Sequence, residues 1–188
     1  MPWLLVIFSY LLGAIPTAYL AGRITLKSDI RYMGDQNAGA ANAYRELNPR
    51  AGIIVGIIDA AKGAAVILIA MAADMPQLVV LSAGLAAVIG HNWPVFLGFR
   101  GGRGVSTTLG VLLVLVTIPM LILALPTLFI LIWRRNVTPA MSFLFIALPV
   151  VGWLMKVQPI LIGYGLLLPV IIGITTFFRT RHKVLKEA

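Results

Sequence analysis

The sequence predicts an all-α integral membrane protein, a bundle of seven transmembrane helices with its N-terminus outside and its C-terminus in the cytoplasm. Three observations carry this. Of 188 residues, 60% are hydrophobic and only 11% charged, and mean hydropathy is +0.99. A soluble domain carries about a quarter charged residues. Apolar runs recur along the whole chain at lengths near the roughly 20 residues a bilayer crossing needs. Basic residues gather on alternate connections.

The spans follow in order, near residues 3–22, 51–72, 77–97, 105–118, 120–133, 138–155 and 158–178. The fourth and fifth come from one run, 105–133, too long for a single crossing. A cut near Pro119 is expected there, because proline removes a backbone donor and clashes with the turn before it. Pro126 is positioned to kink the fifth span. The first span is followed by Arg23, Lys27, Arg31, Arg45 and Arg50, the third by Arg100 and Arg103, and the fifth by Arg134 and Arg135. The seventh is followed by Arg179, Arg181, Lys183 and Lys186. The remaining connections hold only Lys156, and Lys62 lies within the second span. This alternation sets the orientation and puts the long polar segments 23–50, 98–104 and 179–188 on the cytoplasmic face. The first run lacks a basic leader and reads as a span rather than a cleaved signal. Residues 1–188 form one polytopic unit, with no separate soluble domain and no internal repeat of the transporter kind.

Composition also excludes chemistry. Without cysteine there is no thiol nucleophile, and two distant histidines, His91 and His182, do not suggest a metal centre. The net charge of +9 reads as topology, not nucleic-acid binding, since the basic residues sit between spans. No cofactor motif is present, and GxxxxGK[ST] and GxSxG do not occur.

Five polar constellations remain, one of them the basic tail RTRHKVLKEA at 179–188, which reads as electrostatics toward lipid. RGGRG, residues 100–104, opens the fourth span. Gly101, Gly102 and Gly104 let backbone N–H groups turn toward an anion, and a helix start adds free donors and a positive dipole end. Arg100 and Arg103 supply forked donors suited to phosphate. Ser106 and Thr107, with Thr108, add hydroxyls. In SDIRYMGDQNAGAANAYR, residues 28–45, Asn37 and Asn42 flank Gly39 among small residues, and Arg31 and Arg45 are placed to clamp an anion. Asp59 and Lys62 share one helix face at i, i+3, either as a packing pair or as charge beneath a site. His91 ends the third span beside the glycine loop, either as a packing residue or as a base or donor to substrate.

DIRYMGDQNAGAANAYR, GHNWPVFLGFRGGRGVSTTLG and the tail RH at 181–182 resemble, in motif and spacing, the bacterial glycerol-3-phosphate acyltransferases that use acyl phosphate, the PlsY family. The family patterns are approximately DIR-x-x-GSGN-x-GATN-x-x-R, GH-x-x-P-x-F-x-x-FKGGKGVAT and RH-x-x-N. SYLLGAIPTAYLAGRI and IIDAAKG are also similar to its first two spans, so the resemblance covers essentially the whole chain. It implies a seven-helix enzyme of the inner membrane, working at the cytoplasmic face. The implied reaction moves an acyl group from acyl phosphate to the 1-hydroxyl of glycerol 3-phosphate, giving lysophosphatidic acid and phosphate.

By resemblance, Gly101, Gly102 and Gly104 hold a phosphate with Arg100 and Arg103, and Arg45 holds the phosphate of glycerol 3-phosphate. Asn37, Asn42, His91 and His182 orient groups about the acceptor hydroxyl. Lys62, held by Asp59, adds charge below. The resemblance implies two small-molecule substrates, membrane lipid as surroundings and no cofactor. A monomer is expected, since seven helices can enclose a site. Four positions depart from the pattern: Asp35 replaces serine, Gln36 glycine, Ala41 threonine and Leu185 asparagine. An ionised Asp35 would repel phosphate where serine would donate to it. A paralogue with another acceptor, a non-catalytic acyl-phosphate binder and a carrier of a phosphorylated metabolite therefore stand as alternatives.

Overall fold

In the computed structural model the backbone is described for residues 2–187 and side chains for 2–179, so His182 and Leu185 lie outside the described side chains. The described residues fold into helices joined by short connections. Helix α1 spans Pro2–Gly13 and α2 Thr17–Leu26. A polar excursion follows, with a 3₁₀ turn at Ile30–Tyr32 and the short α3 at Ala40–Glu46. Then come α4 (Pro49–Ala72), α5 (Gln77–Asn92), a 3₁₀ turn at Val95–Leu97, α6 (Val105–Leu115), α7 (Thr117–Arg134), α8 (Val137–Leu154) and α9 (Pro159–Glu187).

Six helical stretches among the described residues are long and apolar enough to cross a membrane, the first being Pro2–Leu26 with its interruption. Helix α6, at 11 residues, is shorter than a crossing needs. Outward faces carry exposed Ile57, Leu125, Phe129 and Ile146, as lipid-facing surfaces do.

Two boundaries differ from expectation, both because of proline. The first span is not continuous. Pro16 disfavours helical geometry at Ile15, and the chain breaks between α1 and α2. The long apolar run is not cut at Pro119. It breaks at Val116 (φ −134°, ψ 55°), and Pro119 sits in the first turn of α7, where its missing N–H has no intrahelical partner to lose. A continuous helix would drive the Pro119 ring into the carbonyl of Leu115, so the interruption falls upstream of the proline.

Small residues let the helices approach closely. A Cβ on Gly13 would strike the Ala87 backbone, and one on Gly90 the Tyr10 carbonyl, which seats α1 on α5. Gly63 against Thr107 and Gly110 against Ala60 do the same for α4 and α6. Such contacts are how apolar helices gain packing energy where lipid offers no hydrophobic driving force. The main core gathers Val66, Ile67, Val88, Val111, Leu112 and Leu168, all fully buried. This packing fixes the start of α6 against α4 and α5 and so positions the loop before it.

Candidate active site

The break at Pro16 frees a carbonyl inside the bundle. The Ile15 oxygen accepts from Lys62 Nζ at 3.0 Å. The same ammonium lies 2.9 Å from Asp59 Oδ1, which also accepts from Thr17 Oγ1 at 2.9 Å. His91 Nδ1 approaches Asp59 Oδ1 at 3.6 Å. Thr17, Asp59, Lys62 and His91 are all buried. On its other edge the imidazole meets the glycine loop: a Cβ on Gly102 would land on His91 Nε2. The Gly102 N–H donates to the His91 carbonyl at 3.0 Å. A chain of contacts thus runs from α2 and α4 through His91 to RGGRG. It makes His91 a strut under the loop rather than an open base, and it spends the Lys62 charge on Asp59 and Ile15.

The loop itself departs from the expected arrangement in one respect. The N–H groups of Gly101 and Gly102 do not face outward. They donate to the carbonyls of Asn92 (3.2 Å) and His91 (3.0 Å). These bonds, together with Arg179 donating to the Gly101 and Asn92 carbonyls, fold the loop back on the end of α5. A Cβ on Gly101 would meet the His91 carbonyl and the Pro94 ring, so both glycines are needed for close approach. Gly104 (φ +88°) caps α6 in the left-handed region without a side-chain bond. The N–H groups of residues 103–107 have no acceptor among the described residues, as expected at a helix start. The free donors therefore lie one step later than the sequence suggests. Thr107 and Thr108 are buried with hydroxyls lacking a partner, Ser106 is half-buried, and Arg100 is exposed.

The first polar excursion folds around Asn42. Its Nδ2 donates to the carbonyls of Ile30 (3.3 Å) and Met33 (3.0 Å), and its Oδ1 accepts from the Asp35 N–H at 3.2 Å. Asn42 is therefore committed to shaping the loop rather than reaching toward an acceptor. Arg31 is likewise occupied, bridging Asp29 at 2.7 Å and the Leu97 carbonyl at 2.9 Å, which ties the two motif loops together instead of pairing with Arg45 as a clamp. The Arg31 guanidinium holds the Asp29 carboxyl below its usual range. Asn37 is buried, and its Oδ1 has no partner.

Arg45 and Arg103, from the two motifs, meet at Asp35. Its Oδ2 is 2.8 Å from Arg45 and 3.5 Å from Arg103. The two arginines stand next to the free start of α6 and remain 52% and 30% exposed. This is a cationic cradle that holds an anion, here the Asp35 carboxylate, beside the N–H donors at the start of α6.

Sequence reasoning missed Asn92 and Thr17. Asn92 is fully buried, donates to Thr175 Oγ1 at 3.2 Å, and keeps an unpartnered Oδ1 beneath Gly104. Its place after His91 in GHNWP was the available signal. Thr17 had none beyond its position after Pro16.

The chain was compared with known proteins. The family model described as glycerol-3-phosphate acyltransferase matches residues 3–186. A curated relative from Dehalococcoides mccartyi, glycerol-3-phosphate acyltransferase 4, is 46% identical over 181 residues, covering 96% of this chain and 98% of the relative. One from Halalkalibacterium halodurans, glycerol-3-phosphate acyltransferase, is 37% identical over 187 residues, covering 97% and 89%. Among solved structures, crystal structures of PlsY, an integral membrane glycerol 3-phosphate acyltransferase, superpose closely. The glycerol 3-phosphate form gives a TM-score of 0.79 at 34% identity, over 98% of this chain and 90% of that one. The lysophosphatidic acid form gives 0.78 at 33% identity. With a family match over nearly its full length, and relatives and structures that agree with it, the chain belongs to the glycerol-3-phosphate acyltransferase family.

Proposed function

We propose that this protein transfers a fatty acyl group from acyl phosphate to the 1-hydroxyl of glycerol 3-phosphate, forming lysophosphatidic acid and inorganic phosphate. The observation that carries the reading is the meeting of Arg45 and Arg103 beside the unfilled N-terminus of α6. Both substrates bear a phosphate, and this cradle presents two guanidinium groups, helix N–H donors and the half-buried Ser106. Relatives named for this reaction, and PlsY in glycerol 3-phosphate and lysophosphatidic acid forms, support the same assignment.

The chemistry needs little from the protein beyond placement. The acceptor hydroxyl oxygen bonds to the acyl carbon, and the bond from that carbon to phosphate oxygen breaks. The departing phosphate takes the hydroxyl proton. Phosphate is a good leaving group, so orientation and charge stabilisation supply the rate. Arg45 holds the acceptor phosphate. Arg100 and the N–H groups before and within the first turn of α6 hold the donor, and Arg103 stands between the two phosphates and serves both. Asn37, with its free Oδ1, and His182 of the tail orient the acceptor. The acyl chain lies in the bilayer against the helices.

The chain is a monomer of the bacterial inner membrane with seven crossings, α6 being the fourth, the N-terminus outside and the site on the cytoplasmic side. The positive loops support that orientation. The direct test uses proteoliposomes supplied with palmitoyl phosphate, with and without glycerol 3-phosphate. Lysophosphatidic acid and phosphate form in equal amounts only when the acceptor is present. Absence of acylated product, or phosphate release indifferent to acceptor, overturns the assignment.

A further inference from the structure

We propose that Asp35 is a resident carboxylate that occupies the Arg45–Arg103 cradle until the acceptor's phosphate displaces it, and thereby sets the acceptor's KM. This rests on the function proposed above.

The geometry shows an anion seat filled by an imperfect occupant. Asp35 Oδ2 serves both arginines, at 2.8 and 3.5 Å, the second being longer than a hydrogen bond. Asp35 Oδ1 is buried without a donor, and Arg103 Nε is buried without an acceptor. Each such group forfeits a hydrogen bond that water would have supplied. A phosphate offers more acceptor oxygens than a carboxylate and suits forked guanidinium donors. It can therefore satisfy Arg103 where Asp35 does not. A phosphate placed on Arg45 with Asp35 still seated would stand a few ångströms from a second negative charge, which is costly wherever water is thinned out.

Displacement needs only a side-chain movement. The Asp35 N–H is held by Asn42 at 3.2 Å, and the residues on both sides, Gly34 (φ +55°) and Gln36 (φ +59°), lock a tight left-handed bend. The backbone stays in place while the carboxylate swings toward solvent, to which the Asp35 side chain is already 29% exposed. The exchange is one anion for another on the same cations.

The test is steady-state kinetics in proteoliposomes with palmitoyl phosphate as donor, comparing the unaltered protein with Asp35→Ser and Asp35→Asn. Removing the resident charge lowers the KM for glycerol 3-phosphate about three- to tenfold. The gain falls in KM rather than kcat, and inorganic phosphate becomes a correspondingly tighter competitive inhibitor. A KM that stays within about twofold, or rises, in both variants overturns the proposal; a rise would make Asp35 a binding group for the acceptor. If all three proteins melt alike yet none forms lysophosphatidic acid, the acyltransferase assignment falls. Titration of the same three with inorganic phosphate by calorimetry then decides the present point: tighter binding in the variants supports it and equal binding overturns it.

Discussion

At Gly102 a single added side chain would disturb the site directly. Any Cβ there collides with the ring of His91, which is itself fixed between Asp59 and the loop. We expect Gly102→Ala to cut acyl transfer by about a hundredfold or more, with the protein still inserted and folded, because a displacement near 1 Å is enough for such losses. Retention of a tenth of the activity would contradict the strut. Gln36 makes the opposite case. It holds φ +59°, a conformation that glycine adopts freely and a side chain does not. Gln36→Gly should raise stability by about 0.5 kcal/mol, read as a higher melting temperature in detergent, since relief of the left-handed strain slightly exceeds the added chain entropy. At this scale the motifs made the participants legible but not their orientation. Gly101 and Gly102 were found by their spacing, yet their N–H groups turn inward to Asn92 and His91. Asn42 was found as a polar residue among small ones, yet its amide is wholly taken up by loop backbone. A sequence shows which residue can donate. It does not show which way the donor points.

Helices α1, α2, α4 and α5 are joined at the level of the Pro16 break. The Ile15 carbonyl it releases, with Asp59, surrounds the Lys62 ammonium on two sides. Breaking a buried pair leaves an uncompensated charge and costs about 3–5 kcal/mol, whereas removing both partners costs less. Asp59→Asn and Lys62→Met should each destabilise the fold strongly, and the double variant should recover much of the loss. Thermal unfolding in detergent reads the cycle; strictly additive losses would show that the two residues act separately. The i, i+3 spacing made this pair visible in advance. Its further partners were not, because Ile15 and His91 reach it only through tertiary packing. The same limit explains Pro119. A proline announces that a helix ends nearby, but the clash falls on the turn before it, so the break at Val116 lies upstream of its cause.

For the whole molecule, the apolar runs and alternating basic loops were sufficient to read an all-helical membrane bundle, since only helices and closed barrels satisfy the backbone in lipid, and barrel strands alternate apolar with polar residues where these runs are continuous. The proposed orientation is open to direct measurement, because the chain has no cysteine of its own. Single cysteines at Ala73 and Met155 should react with an impermeant maleimide in intact spheroplasts. Cysteines at Ser28 and Arg134 should react only after the membrane is opened. The reverse pattern would invert the topology.

The length of α6 has a further consequence. Eleven residues rise only about 16 Å, roughly half the hydrocarbon thickness. With α6 as a crossing, the two faces together make up a shortfall of about 13 Å, and the share that falls at its glycine-capped start draws that start below the membrane surface. Under the proposed orientation the reaction would then take place in a depression of the site's own membrane face, level with the first carbons of the surrounding lipids. A water-soluble acceptor would descend to meet the proposed acyl phosphate, already dissolved in the bilayer. The molecule that results is born a lipid among lipids, and needs only to slide sideways between helices to join the membrane it enlarges.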